Sequence, residues 1–179
     1  MHITTRKLAA AAVTGAAYAA LTMLLAPISY GAIQCRVSEV LCILPFFIPC
    51  TAWGLFAGCA IANLLSAAGI FDVVFGSLAT LLAALCTAWL GRGRGAQSWL
   101  RCALAALMPV VFNFVFVGAV LTWSLTDAAF PHLNASFWLF GGQVALGEVA
   151  VLGILGLPLM RLLPRNPKFR EIICSYQKE

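Results

Sequence analysis

Charged residues are scarce in this sequence. They make up 9% of its 179 residues, whereas a soluble domain carries roughly 25%. Hydrophobic residues account for 63% of the chain. A chain of this composition has too few charged groups for the surface of a soluble domain, so we exclude a water-soluble globular protein.

The motifs of common catalytic and metal centres are also missing. No GxxxxGK[ST] segment is present, which excludes a P-loop nucleotide hydrolase. The two histidines, His2 and His132, lie outside the apolar runs and leave no Ser–His or metal constellation at membrane depth. The seven cysteines form no CxxC pair, so we interpret them as packing residues. We therefore expect no enzyme, no cofactor and no bound metal.

Long uncharged runs are what the sequence has instead. Each is long enough to cross a bilayer, which needs about 20 residues. The run after Arg6 and Lys7 exceeds the 7 to 15 apolar residues of a signal peptide, so we expect the first helix to be retained. The composition predicts an all-α integral membrane protein. The runs are 8–35, 40–71, 73–91, 102–126 and 128–147.

Basic residues near the predicted span ends give the orientation. The formal net charge of +5 comes from the chain ends and one loop, so we interpret it as a topology signal rather than as nucleic-acid binding. The positive-inside rule places ten Lys and Arg residues in the cytoplasm and only Arg36 outside. The ten are Arg6, Lys7, Arg92, Arg94, Arg101, Arg161, Arg165, Lys168, Arg170 and Lys178.

The uncharged block that begins at Val40 must then supply two crossings, because an even number separates Arg6 from the basic loop 91–101. Pro45 and Pro49 mark the break between them, since proline disrupts helices. The first crossing, 36–47, covers only about 18 Å of the ~30 Å hydrocarbon core. This short crossing must therefore be packed against neighbouring helices or be preceded by a segment of irregular backbone.

We predict six spans in one membrane domain, residues 1–165, followed by a cytoplasmic tail, residues 166–179. Both termini are expected in the cytoplasm. Trp99, Trp123 and Trp138 fall near span ends, as an aromatic belt requires. The predicted spans are 8–26, 36–47, 51–66, 71–90, 99–123 and 136–163.

Four ionisable side chains lie within or at the edges of these spans, although each costs at least ~2.5 to 3.5 kcal/mol at the bilayer centre. Arg36, Glu39 and Asp72 are predicted at outer span ends, and Glu148 lies about 18 Å into the sixth span. Because nearly all of these polar residues map to the outer half of the membrane or to its midplane, we predict one pocket that is open to the outside. Uncharged polar residues join them: Gln34, Asn63, Asn113 and Gln143.

Structural roles compete with this interpretation. Arg36 and Glu39 are three residues apart and could pair with each other. Asp72 could serve only as the N-cap of the fourth span, and the two asparagines could join helices. Glu148 is the strongest binding candidate, because no cation lies near it in the sequence and an unpaired buried carboxylate would be protonated or matched by a ligand.

Small residues form two flat helix faces. Ala12, Ala16 and Ala20 repeat every four residues in the first span, and Gly54 and Gly58 do so in the third. Such faces let another helix approach closely. The pattern leaves open whether that helix belongs to this protein or to a partner.

Four segments of the sequence carry a family resemblance: 25–39, 44–47, 54–63 and 72–80. They resemble the QueT family, and the similarity extends over roughly residues 8–165. Members of that family are substrate-capture (S) components of energy-coupling factor transporters, assigned to queuosine precursors. The resemblance implies a six-helix S-component fold in the bacterial cytoplasmic membrane, with a transmembrane coupling protein and two cytoplasmic ATPases as partners. It also implies docking through an AxxxA face, matched by Ala12 and Ala16 and extended by Ala20.

A 7-deazaguanine suits the predicted pocket. Its N1–H and amino group are adjacent donors that a carboxylate accepts in pairs, and its oxygen and ring nitrogens need donors. We assign Glu148 to this edge, and Glu39 or Asp72 to an aminomethyl cation if the ligand carries one. The remaining polar contacts are assigned to Asn63, Asn113, Gln34, Gln143 and Arg36, and ring stacking to Tyr30, Phe75, Phe116 or Trp138.

The residues leave other functions open. A stand-alone secondary transporter could relay protons through Glu148 and Asp72. The chain lacks the obvious internal repeat that many such transporters carry. An intramembrane enzyme or a purely structural subunit is less compatible with the absent catalytic motifs and the intramembrane carboxylate. The sequence does not choose among the nitrile, the aminomethyl base and queuine.

Overall fold

The computed structural model describes residues 4–30, 34–66, 68–92, 98–126 and 135–177. All regular structure in these ranges is helical. The helices are α1 (Thr5–Leu24), α2 (Ala26–Ser29), a 3₁₀ helix (Val37–Phe46), α3 (Thr51–Asn63), α4 (Ser77–Leu90), α5 (Trp99–Thr126), α6 (Ala135–Val151), α7 (Leu157–Leu162) and α8 (Pro167–Gln177). The π-helical turns Asp72–Gly76 and Leu152–Gly156 precede α4 and α7, and a 3₁₀ turn, Leu163–Arg165, precedes α8.

Within the described residues, four helical stretches are long and apolar enough to cross a membrane: Thr5–Leu24, Asp72–Leu90, Trp99–Thr126 and Ala135–Arg165. They correspond to the first, fourth, fifth and sixth predicted spans. The 3₁₀ helix and α3 are shorter than the about 20 residues that a simple crossing requires. The predicted outer loop at 127–134, Arg94 and Lys178 lie outside the described residues.

Contacts between the first helices show the direction of each pass. The 3₁₀ helix begins beside the end of α1, where the Thr22 hydroxyl donates to Ser38 Oγ at 2.6 Å. After α3 has run back, the Asn63 amide donates to the carbonyl of Asp72 at 2.9 Å, just before α4. The chain between α1 and α4 therefore runs one way in the 3₁₀ helix and back in α3. Pro49 lies in the turn between these two helices, whereas Pro45, also predicted to mark the break, is inside the 3₁₀ helix.

The first of these passes is a 3₁₀ helix rather than the α-helix that the predicted rise of 1.5 Å assumed. At about 2.0 Å per residue, its 10 residues extend over about 20 Å. Cys42, Ile43 and Phe46 are among its buried residues, so neighbouring helices surround this segment. The tighter winding gives a short, buried pass more reach than an α-helix of equal length.

The glycines of α3 pack inside the protein. A Cβ atom added at Gly54 would lie 1.9 Å from the carbonyl oxygen of Ala11, and one at Gly58 would lie 2.3 Å from that of Gly15. The backbones of α1 and α3 therefore touch, and only glycine fits at these two α3 positions. The other face of α1 is different, because Ala12, Ala16 and Ala20 on it are exposed.

The segment predicted as a cytoplasmic tail contains α8, which packs across one end of the bundle. The rings of Phe47 and Phe169 meet edge to face with centroids 5.6 Å apart. The Tyr176 hydroxyl donates to the carbonyl of Arg6 at 3.3 Å, and the Arg6 guanidinium lies over the Tyr176 ring. We call this end the basic end, since Arg6, Arg92, Arg101, Arg161 and Arg165 are located there.

Candidate substrate-binding site

A cluster of buried polar side chains lies at the start of the 3₁₀ helix, remote from the basic end. We call it the polar cluster, and the Arg36 guanidinium is at its centre. Arg36 is 3% exposed, and its Nη1 donates to Asn63 Oδ1 at 3.2 Å. Its Nη2 donates to Gln34 Oε1 at 3.2 Å and forms an ion pair with Asp72 Oδ2 at 3.4 Å. The partner of Arg36 is thus Asp72 rather than Glu39, which lies three residues away in the sequence.

Asp72 binds Arg36 and does not cap a helix. It lies inside a continuous helical stretch and makes no capping hydrogen bond from its side chain. The π-helical turn Asp72–Gly76 widens the helix at this point, and such turns are frequent at functional sites. A Cβ atom on Gly76 would lie 2.6 Å from both Asp72 Oδ1 and Asn63 Nδ2, so glycine leaves the space that these polar atoms occupy.

Glu39 is fully engaged by side chains that the sequence analysis missed. The Tyr18 hydroxyl donates to Oε1 at 2.5 Å, and the Cys42 thiol donates to Oε2 at 3.0 Å. The Cys59 sulfur lies 3.6 Å from the same hydroxyl. Cys42 and Cys59 therefore contribute to a polar network and not only to packing. Tyr18 is the one aromatic residue in an alanine-rich span, and this signal could have identified it.

Glu148 on α6 and Asn113 on α5 extend the cluster to these two helices. The Asn113 amide donates to Glu148 Oε1 at 2.5 Å, while the carboxyl is 1% exposed. The preceding residue, Gly147, contacts the backbone of the segment that carries Gln34 and Arg36, since an added Cβ atom would lie 2.7 Å from the Gln34 carbonyl. Residues of α6, which carries Glu148, also contact the 3₁₀ helix that carries Glu39. One buried cluster therefore includes residues from both halves of the chain.

Three polar atoms of this cluster have no hydrogen-bond partner among the described residues. They are Arg36 Nε, Asp72 Oδ1 and Glu148 Oε2. Unsatisfied buried polar atoms are rare in native structures and call for an explanation. The cluster also contains three carboxyl groups, Glu39, Asp72 and Glu148, for one guanidinium. We call the three atoms without partners the open atoms. Two of them are carboxyl oxygens that accept hydrogen bonds and one is a guanidinium nitrogen that donates, so together they fit a polar ligand with a positive charge.

A model of the QueT transporter family matches residues 8–165. The chain belongs to the QueT family. No curated protein and no solved structure was found to match it. The family assignment makes this chain a membrane transport protein rather than an enzyme. The helix α8 lies beyond the segment that matches the QueT family model.

Other sequence candidates lie around or outside the polar cluster of this QueT protein. The Tyr30 ring faces the Arg36 guanidinium at 5.6 Å, and its hydroxyl donates to the Ala62 carbonyl at 2.6 Å. Gln143 is partly exposed on α6, and its side chain forms no hydrogen bond within the described part of the chain.

The three other aromatic candidates line an apolar groove or pack against other aromatic rings. Phe75 and Phe116 line an apolar groove of about 380 Å³ together with Trp123. Trp138 is 61% exposed and packs against two phenylalanines, Phe114 and Phe137. Aromatic residues in spans commonly face lipid or neighbouring helices, and the sequence alone does not distinguish these from a ring that faces a ligand.

Proposed function

We propose that this QueT protein is the S component of an energy-coupling factor importer and that it captures a 7-deazaguanine precursor of queuosine from outside the cell. The proposal rests mainly on the three open atoms Arg36 Nε, Asp72 Oδ1 and Glu148 Oε2 within one buried cluster. Family membership and the resemblance described above supply the transport context.

We further propose six crossings with both termini in the cytoplasm of a bacterial cell. The contact between Arg6 and Tyr176 brings the two ends of the chain to the basic end of the bundle. Because basic residues favour the cytoplasmic side, the basic end faces inward and the polar cluster lies toward the outside. In this arrangement the 3₁₀ helix and α3 are the second and third spans, shortened by burial among their neighbours.

The open atoms suggest a specific role for each charged group. Glu148 Oε2 accepts from the N1–H and amino edge of the base, and Arg36 Nε donates to a ring acceptor. Asp72 Oδ1 takes the aminomethyl cation. Both oxygens of Glu39 are already engaged, so Glu39 supports the 3₁₀ helix and contributes negative charge without direct contact with the ligand.

The excess of carboxyl groups predicts selectivity among the precursors. We expect 7-aminomethyl-7-deazaguanine to bind at least about tenfold more tightly than the uncharged nitrile, because only the former supplies a cation to Asp72, a difference of about 1.4 kcal/mol. Calorimetric titration of the purified chain with the two bases and with queuine measures this. Equal affinity for the nitrile would show that the cluster does not select for charge.

The exposed row Ala12, Ala16 and Ala20 is the proposed docking face for the transmembrane coupling protein, which works with two ATPases. Replacing Ala16 by leucine is expected to leave precursor binding unchanged but to abolish ATP-driven uptake, because a bulky side chain keeps a partner helix at a distance. Ala150 is exposed on α6, so Ala150→Leu is the matched control. Uptake by Ala16→Leu at the unsubstituted rate would disprove docking at this face.

A proton-coupled secondary transporter is the second candidate, and the excess of carboxyl groups favours it specifically. Protons that bind to Glu148 and Asp72 could neutralise these carboxylates in place of a cationic ligand. Proteoliposomes that contain this chain alone distinguish the two functions. Uptake driven by a proton gradient in the absence of any ATPase would support the secondary transporter. No uptake until the coupling protein, the ATPases and ATP are supplied would support the S component.

A further inference from the structure

We propose that the basic end holds the headgroup of an anionic phospholipid between Arg161 and Arg165. A cavity of about 250 Å³ opens there, where α7 and the following 3₁₀ turn pass the first turn of α5. The two arginines line it together with Cys102, Met160 and Pro164. The cavity is at the opposite end of the bundle from Arg36 and is independent of the transported ligand.

The positive charge of this cavity is not neutralised by the protein. Within the described residues, the ion pair between Arg36 and Asp72 is the only salt bridge, so neither Arg161 nor Arg165 has a carboxylate partner. Both side chains are exposed and free to turn toward a ligand. Arginine pairs bind phosphate well, because each guanidinium can donate two parallel hydrogen bonds.

The first turn of α5 adds to this field. Cys102 lies in that turn and lines the cavity, so the positive end of a 28-residue helix dipole is directed toward the same region. Arg101, the preceding residue, donates to the Arg92 carbonyl at 3.1 Å and brings two further cations to the basic end. The combined field favours an anion at the mouth of the cavity.

Apolar side chains beside the cavity indicate a lipid rather than a free anion. Trp99 and Leu100 at the start of α5 are 62% and 64% exposed, and Leu162, next to Arg161, is 55% exposed. Exposed tryptophan beside arginine is typical of the membrane–water interface. A phospholipid satisfies both features at once, since its phosphate meets the guanidinium groups while its acyl chains cover the neighbouring apolar residues. Basic pockets between helices on the cytoplasmic side bind such headgroups in other membrane proteins.

The test measures lipid binding to the full-length protein by native mass spectrometry during titration with phosphatidylglycerol or phosphatidylcholine. Each arginine is expected to contribute about fivefold to the affinity for the anionic lipid, so Arg161→Gln with Arg165→Gln should weaken it about 25-fold. The matched control removes two charges from α8, Lys168→Gln with Arg170→Gln, and should change the affinity by less than about twofold. Thermal unfolding without added lipid verifies that both double variants are folded.

The outcomes separate the possible ligands. The site is supported if only the variant that lacks Arg161 and Arg165 loses affinity for phosphatidylglycerol and if all the proteins bind phosphatidylcholine weakly. Equal binding of the two lipids, or an equal loss in the control, would overturn it. Displacement of phosphatidylglycerol by millimolar inorganic phosphate would identify a site for free anions and would also overturn the lipid assignment. If the double variant does not fold, the single substitution Arg165→Gln must still show the fivefold loss.

Discussion

Replacing Glu148 by glutamine is expected to weaken binding of 7-aminomethyl-7-deazaguanine by about ten- to a hundredfold, while the protein still inserts and folds. Glutamine keeps the oxygen that accepts from Asn113 but turns the open Oε2 acceptor into an amide donor. The donors at the edge of the base then meet a donor, and a charge-assisted hydrogen bond worth about 1.5 to 3 kcal/mol is lost. Equilibrium binding to the purified variant measures the change.

The control for this substitution is Glu171→Gln on the exposed surface of α8, which removes the same charge far from the cluster. It should bind the base as the unsubstituted protein does. Thermal unfolding of both variants without ligand shows whether a loss arises from the fold. Unchanged affinity in a well-folded Glu148→Gln protein would remove Glu148 from the binding site and leave the proposed function without its main support.

The second large effect is expected at the crossing of α1 and α3. Gly54→Ala should destabilise the folded protein by about 3 kcal/mol, the upper end of the usual range for overpacked cores. The added methyl group would lie 1.9 Å from the Ala11 carbonyl oxygen, so two helix backbones would have to separate. Their separation would also move Tyr18, which holds Glu39. The thermal midpoint and the yield of monodisperse protein in detergent measure the effect.

Gly142→Ala is the matched substitution, because an added Cβ atom at Gly142 meets no atom within 4 Å. The same change from glycine to alanine should there be neutral or slightly stabilising, since alanine has the better helix propensity. Equal midpoints for the two variants would show that α1 and α3 are able to separate without cost, contrary to the close contact at Gly54.

The hydrophobic pattern predicted much of the helix arrangement. The uncharged runs located the four long helices, and the start of α5 at Trp99 agrees with the prediction. The block after Val40 does divide into two helices, and Pro49 lies in the turn between them, whereas Pro45 is inside the 3₁₀ helix. The 3₁₀ form of the first pass could not be predicted, because it depends on the neighbours that surround Glu39 and Cys42. The docking of α8 was missed for a similar reason, since its partner Phe47 is distant in the sequence.

Polar residues in apolar runs were also a useful signal, because each needs a partner or a ligand. They predicted one pocket, open to the outside, that gathers Arg36, Asp72 and Glu148. The structure pairs Arg36 with Asp72 and brings Gly147, beside Glu148, against the Gln34 backbone, while the open pocket stays a prediction. Their pairings were beyond the sequence. Arg36 is three residues from Glu39 but binds Asp72, 36 residues away, while Glu39 binds Tyr18. Spacing along one helix does not reveal which neighbouring helix supplies the nearer partner.

The sequence by itself determined that this chain is a helical membrane protein and which polar residues need an explanation. Those conclusions follow from local quantities, the hydropathy of each segment and the cost of a charge in lipid. Only the tertiary structure decided which carboxyl oxygens are engaged and which remain open. That distinction depends on contacts between helices that are far apart in the chain, such as the one between Asn113 and Glu148.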